Sequence, residues 1–197
     1  MSITEVEWLQ QALHGDEAAF AKIVETYQRP VYNLCYRMLN DSTEAEDAAQ
    51  ETFWRAYQNL KRYDMTRPFP TWLLSIAAHY CIDQQRKRRY PVLSVNLLPE
   101  EDAPDSAPNP ERVVGELEEA SHMRRLLNKL SPQDRAAIIL RYWYEFSEEE
   151  IARALSLSVS AVKSRLHRAR KELAQNWQDG QTLNGLSGRR KNESSAV

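Results

Sequence analysis

The chain has 197 residues, 42% of them hydrophobic and 27% charged, with a formal net charge of -2, which fits one or two small globular domains. No run approaches the ~18 consecutive apolar residues of a membrane span, and the start, Met1-Ser2-Ile3-Thr4-Glu5, lacks the basic and apolar blocks of a signal peptide. A cytoplasmic protein with no direct membrane insertion is therefore the expectation. Five glycines leave little material for tight hairpins or phosphate-cradling loops, which favours helices. Cys35 and Cys81 lie inside apolar helical patterns without CxxC or Cys/His spacing, so they read as small core residues rather than a disulfide or metal pair. No metal and no cofactor is expected.

In chain order, apolar residues recur at helical spacing over 20–39, 45–60 and 72–82, then over 117–130, 136–142, 148–155 and 159–177. Asp41, Ser42 and Thr43 precede the second of these helices, Ser131-Pro132 opens the fifth, and Ser147 with Glu150 forms a capping box before the sixth. Between the two groups, Pro99, Pro104, Pro108 and Pro110 fall in an acidic stretch with no apolar period. The predicted fold is all-α, with two small helical domains joined by an acidic, Pro-containing linker. The first domain covers residues 1–92, the linker 93–116, and a helix-turn-helix domain 117–178. The tail, 179–197, is rich in Gly, Ser and Asn and is expected to be disordered.

Charge is unevenly spread. Residues 91–122 carry eight acids against Arg112 alone, whereas from residue 123 onward fourteen bases face eight acids. A basic stripe is the footprint of a polyanion partner, but the near-neutral total predicts weak unaided DNA binding, because sequence-independent affinity scales with the phosphates neutralised.

Three surfaces carry unusual combinations. On a wheel of residues 45–60, Ala45, Ala49, Phe53, Ala56 and Leu60 share one side, and Asp47, Gln50, Glu51, Trp54 and Gln58 the other. The second side is either a solvated face with a stray indole or an interface anchor ringed by acceptors, fit for a basic partner helix. Residues 69–82 are apolar nearly all round and run into Arg86-Lys87-Arg88-Arg89. Their stripe of Trp72, Ser75, His79, Asp83 and Arg86 offers rings and guanidinium groups, as unpaired bases and phosphates require. A buried helix with a basic last turn would look the same. Residues 147–173 have helix-turn-helix spacing, with Ser156 where a glycine would ease positive φ. Opposite its apolar stripe lie Ser160, Ser164, His167, Arg168 and Lys171, flanked by Lys163 and Arg165, a face suited to a DNA groove or simply to solvent.

Two long stretches resemble the extracytoplasmic-function (ECF) group of bacterial RNA polymerase sigma factors. One includes Pro30-Val31-Tyr32-Asn33-Leu34, Glu46-Asp47-Ala48-Ala49-Gln50-Glu51-Thr52-Phe53 and Phe69-Pro70-Thr71-Trp72-Leu73. The other includes Leu130-Ser131-Pro132-Gln133-Asp134-Arg135, Phe146-Ser147-Glu148-Glu149-Glu150-Ile151-Ala152 and Val162-Lys163-Ser164-Arg165-Leu166-His167-Arg168. The resemblance implies that the first domain corresponds to sigma region 2, docking on the clamp helices of core polymerase through Asp47, Gln50 and Glu51, to which the wheel adds Trp54. It further implies that Tyr63, Trp72, His79 and Arg86, Lys87, Arg88 and Arg89 grip and melt the start-proximal promoter element. His79 stands where the family commonly has Asn. The second domain would correspond to region 4, sitting on the polymerase flap and reading the upstream element through Lys163, Ser164 and Arg168; an anti-sigma factor is an implied partner. Elements one and a half duplex turns apart are separated by roughly 50 Å. The roughly 30 residues from Pro91 to Ala120, at ~3.3 Å each, reach on the order of 100 Å, so reach is not limiting.

A dimeric helix-turn-helix regulator is the rival reading, yet it leaves the Asp47–Trp54 face unused and no dimerisation heptad is evident. A nuclease or recombinase would need a metal-ligating set or an activated nucleophile, which the Asp47/Glu51 pair alone does not supply. No enzymatic activity is expected.

Overall fold

The computed structural model describes the backbone of residues 3–89 and 112–193, with side chains over 4–88 and 121–178. Every regular element among these residues is helical. The order is α1 (Ile3–Leu13), α2 (Glu17–Leu39), α3 (Ser42–Asn59), a 3-10 turn (Leu60–Arg62), α4 (Phe69–Arg89), α5 (Arg112–Lys129), α6 (Pro132–Trp143), α7 (Glu148–Ala154) and α8 (Val159–Glu193).

Side chains set the boundaries. The Asp16 carboxylate accepts from the Ala18 and Ala19 amides and opens α2. Asn40 adopts a left-handed conformation (φ 61°) and returns its N–H to Tyr36 O, ending the helix; Asp41 then accepts from Glu44 N and starts α3. Ser131 caps α6 with Pro132 in its first turn, and Ser147 and Glu150 complete the expected capping box on α7. Ser156 is at φ 55°, the strained turn position anticipated between α7 and α8.

Small residues on α3 (Ala45, Ala48, Ala49, Ala56) let it lie close against α2 and α4, around Leu34, Met38, Phe53, Phe69 and Leu73. Cys35 and Cys81 are free and fully buried within this core. Helix α1 escapes the periodicity reading; it is tied down by a 2.6 Å hydrogen bond from the Tyr27 hydroxyl to Glu5. In the second domain Leu127, Leu130, Ile139, Leu140, Ile151, Val162 and Leu166 are buried.

The two cores are continuous, because α4 packs directly on α6 and α7 and α2 on α6. Polar ties cross the same joint. Met38 O, which also accepts from Gln85 Nε2 of α4 within the first domain, accepts across the joint at 2.5 Å from Nη1 of Arg135 of α6, which is 5% exposed, and the Arg124 guanidinium of α5 donates to the Tyr36 hydroxyl of α2. The Tyr144 hydroxyl donates to Pro30 O at 2.6 Å, and the Arg37 guanidinium lies 5.3 Å from the centre of the Trp143 ring.

Two sequence expectations need adjusting. Of the linker, residues 93–111 lie outside the described residues, and 112–116 form the first turns of α5 rather than extended chain. The backbone of 179–193 continues α8, where no regular structure is expected. Adding a residue to an existing helix gains a hydrogen bond without the cost of nucleation, so a long stable helix extends past the point where composition alone would end it.

Arg135→Ala removes the buried charged donor to Met38 O from the joint. A loss of about 1.5–3 kcal/mol is expected, the usual worth of a hydrogen bond to a charged group. Urea unfolding followed by circular dichroism measures it, with a larger radius of gyration in X-ray scattering as the sign that the joint has opened.

Candidate nucleic-acid and partner surfaces

Helix α3 divides as its wheel predicts. Ala45, Ala49, Phe53 and Ala56 are buried, while Asp47, Gln50, Trp54 and Gln58 are exposed, Trp54 by 58%. Glu51 is half-buried and accepts from Arg55 Nε at 2.7 Å, and Arg55 in turn lies 4.9 Å over the Tyr80 ring. An ion pair this exposed is worth at most about 1 kcal/mol, so Glu51 is readily exchanged onto a partner's cation. Beside Trp54 runs a shallow groove of about 450 Å³ walled by Phe20, Val24, Phe53 and Tyr57, with Phe20 and Tyr57 edge to face at 5.0 Å. Phe20 and Tyr57 were not singled out from sequence. Tyr57 is one helical step from Trp54 and so was within reach of the wheel; Phe20 comes from α2 and was not.

The loop before α4 corrects one expectation. Tyr63 is buried, its ring packed on Phe69 (5.3 Å) and Trp72 (5.1 Å), and its hydroxyl donates to Arg67 O at 2.5 Å. Burial, reinforced by Glu5 and Asp64, pushes its pKa up to about 12. It has no open face on which to stack a base, and its part is to hold the loop against the core. Trp72 is half-buried, with an edge at the surface. His79 is exposed, its Nδ1 2.9 Å from Ser75 O, which leaves Nε2 directed outward. Beyond it, Arg86 pairs loosely with Asp83 (4.0 Å), Lys87 is exposed, and Arg88 bridges to Glu44 of α3. The Arg89 side chain lies outside the described residues.

On α8, Ser160, Lys163, Ser164, His167, Arg168 and Lys171 are all exposed. Lys163 pairs with Glu148 of α7 at 3.6 Å. Arg165 departs from the predicted reading face: it is half-buried, and its Nη1 donates to Asp134 Oδ1 at 2.8 Å. Arg168 donates to the same carboxylate through Nε and Nη2. Asp134, the third residue of α6, is buried and was read from sequence only as part of a motif; its tie to residues 31 and 34 positions away is a tertiary fact with no local signal. Burial works to raise its pKa, but the hydrogen bonds from Arg168, Arg165 and Ser131 outweigh this and hold the carboxyl below its usual range.

No helix among the described residues is long and apolar enough to cross a membrane, and none of these residues form a His/Cys/Asp/Glu group that could hold a metal ion.

The architecture is thus a pair of docked helical domains, one with an acidic and aromatic outer face and a basic helix end, the other a helix-turn-helix with a basic exterior. Residues 23–90 match the Sigma-70 region 2 family and residues 122–173 the Sigma-70 region 4 family. The chain is 38% identical over 178 residues to the ECF RNA polymerase sigma factor SigW of Bacillus subtilis, spanning 87% of this chain and 95% of SigW. Its structure is similar to CnrH, solved in complex with the cytosolic domain of CnrY, at a TM-score of 0.67 and 26% identity over 89% of this chain and 98% of that one. The fold is also that of RpoE of Bartonella quintana, solved with the anti-sigma factor NepR (TM-score 0.60, 22% identity, 81% of this chain and 96% of that one). The chain belongs to the ECF group of RNA polymerase sigma factors, which act with core polymerase in promoter-directed initiation. A stand-alone helix-turn-helix regulator is not favoured, since the first domain is itself a region 2.

Because the Asp134 pKa is depressed in the folded protein, its stabilising contribution is complete above the unfolded carboxyl value of about 3.9 and is lost as pH falls through the lower folded value. The urea midpoint of the wild-type protein should accordingly fall more steeply than that of Asp134→Asn below about pH 4. Parallel midpoint-against-pH curves for the two proteins would contradict this.

Proposed function

We propose that the outer face of α3 is the polymerase-docking surface, that the exposed edge of α4 and its basic end hold and open the start-proximal promoter element, and that α8 reads the upstream element while its domain rests on the polymerase flap. The observation that carries this reading is the exposed Asp47, Gln50 and Trp54 face, ending in an apolar groove, on a helix whose other side is entirely buried. A large indole flanked by acceptors and an apolar slot suits a partner helix that carries both basic and apolar side chains. Start-proximal contacts are assigned to Trp72, His79, Arg86, Lys87, Arg88 and Arg89, and upstream contacts to Ser160, Lys163, Ser164, His167, Arg168 and Lys171. Arg165 supports them from beneath. The protein works in the cytoplasm, as an adaptor without a catalytic step of its own: binding energy spent on unstacked bases replaces the stacking lost on opening.

An anti-sigma factor is proposed as the regulatory partner, on the strength of the complexes in which CnrH and the Bartonella protein were solved.

Run-off transcription with purified core polymerase over a promoter library tests the whole reading, since it reports activity and specificity together. Within it, Trp54→Ala should weaken association with core polymerase on the order of 30-fold, as expected for an interface anchor, without lowering the thermal midpoint. Asp47→Ala should act in the same direction with a smaller effect. Unchanged co-purification of both variants would remove α3 as the docking face.

A further inference from the structure

If α8 reads the upstream element, Arg168 must offer donors to a base edge while it is already bonded to another residue of the same domain. The geometry shows how both are met. Asp134 is 4% exposed and lies beneath α8. Its Oδ2 accepts from Arg168 Nε at 3.3 Å and Nη2 at 3.2 Å, and its Oδ1 accepts from Arg168 Nη2 at 3.1 Å and Arg165 Nη1 at 2.8 Å. The carboxylate therefore occupies one edge of the Arg168 guanidinium, the edge formed by Nε and Nη2. The opposite edge, Nη1 with the second Nη2 hydrogen, takes no part in these bonds, and the Arg168 side chain remains 58% exposed.

A guanidinium has two such edges, and each presents a parallel pair of N–H donors to a planar acceptor pair. Guanine offers a matching pair, O6 and N7, in the major groove. An arginine left to itself at a surface loses rotamer freedom when it docks, whereas one clamped along its other edge is ordered before the DNA arrives. The clamp has a second effect. A buried carboxylate beside two cations lowers the local positive charge, and with it the sequence-independent attraction to phosphates. Both effects act in one direction, toward discrimination and away from general affinity.

We propose that Asp134 is a specificity-determining positioning residue, which grips the Nε/Nη2 edge of Arg168 from α6 and so presents the opposite edge to a guanine of the upstream promoter element. Arg165, whose side chain is only 24% exposed, braces the same carboxylate from its other side and reads no base. The proposal rests on α8 being the reading helix.

The test uses the full chain assembled with core polymerase, with fluorescence anisotropy on promoter fragments in which each G·C pair of the upstream element is replaced in turn. The variants are Asp134→Asn, which keeps the shape of the side chain, Asp134→Ala, Arg168→Ala, and the Asp134→Asn/Arg168→Ala pair, each checked for folding by thermal unfolding. Wild-type protein should prefer the intact fragment by about tenfold at one G·C pair, the scale of one bidentate contact. Asp134→Asn should lose most of that preference at the same pair as Arg168→Ala, bind the altered fragments as well as or better than wild type, and add nothing to the loss in the double variant. Equal weakening on every fragment, an unchanged preference, or a loss at a different pair would overturn the proposal. If Arg168→Ala abolishes the preference and Asp134→Asn does not, α8 still reads and only the positioning role falls. If Arg168→Ala itself leaves the preference intact, the assignment of Arg168 as a reader fails together with the proposal.

Discussion

The carbonyl of Met38 is the point on which the arrangement of the helices turns. It lies in the last turn of α2, where the left-handed Asn40 ends the helix and carbonyls run out of intrahelical donors. A buried carbonyl without a partner is costly, and this one receives two, Gln85 from α4 and Arg135 from α6. The first bond fixes α4 against α2, which leaves α3 packed across both. The second places the guanidinium of the second domain at the end of the first, where a cation also complements the negative end of the α2 dipole. Burying that guanidinium is tolerable only because an acceptor waits for it, so the joint has little freedom to slide.

With α3 held in this way, its composition separates two tasks. Alanines on the inward side let the helix approach its neighbours closely and leave little of the helix for packing to claim outside that stripe. The outward side can then be filled by whatever a partner demands, and an exposed tryptophan there costs the fold nothing that packing would otherwise have gained. Helix α4 has less latitude. It is apolar nearly all round because it faces α2, α3, α6 and α7, and its contact-making side chains are confined to a narrow edge and to its last turns.

Much of this was legible in the sequence because it was local. Capping at Asp41, Ser131 and Ser147, the inward and outward faces of α3, the turn strain at Ser156 and the basic exterior of α8 all depend on residues a few positions apart, where periodicity and hydrogen-bonding chemistry act directly. What stayed hidden was set by distant partners. Tyr63 was implied as a promoter contact by the resemblance alone; Phe69 and Trp72 instead enclose it. The wheel placed Arg168 opposite the apolar stripe and Arg165 at its flank, but it could not show that one carboxylate on another helix accepts from both, with Arg165 half-buried and Arg168 still exposed. Helix α1 was missed although Leu9 and Ala12 are buried with Trp8 and Leu13 packed beside them; the stripe spans only about a turn and a half, and the Glu5–Tyr27 bond that adds to it crosses 22 residues.

The joint between the domains uses two kinds of acceptor. Met38 O and Pro30 O are main-chain oxygens, which every amino acid supplies, and they are met by the side chains of Arg135 and Tyr144; the Tyr36 hydroxyl, which receives the Arg124 guanidinium, and Arg37, which lies over the Trp143 ring, are particular side chains on the first domain as well. Mutational drift at Met38 can therefore alter the side chain while its carbonyl persists, provided the helix keeps its path. Replacement of Tyr36 or Arg37 removes its contact outright. Tolerance to change should vary from position to position along this end of α2, and not only from one side of the joint to the other.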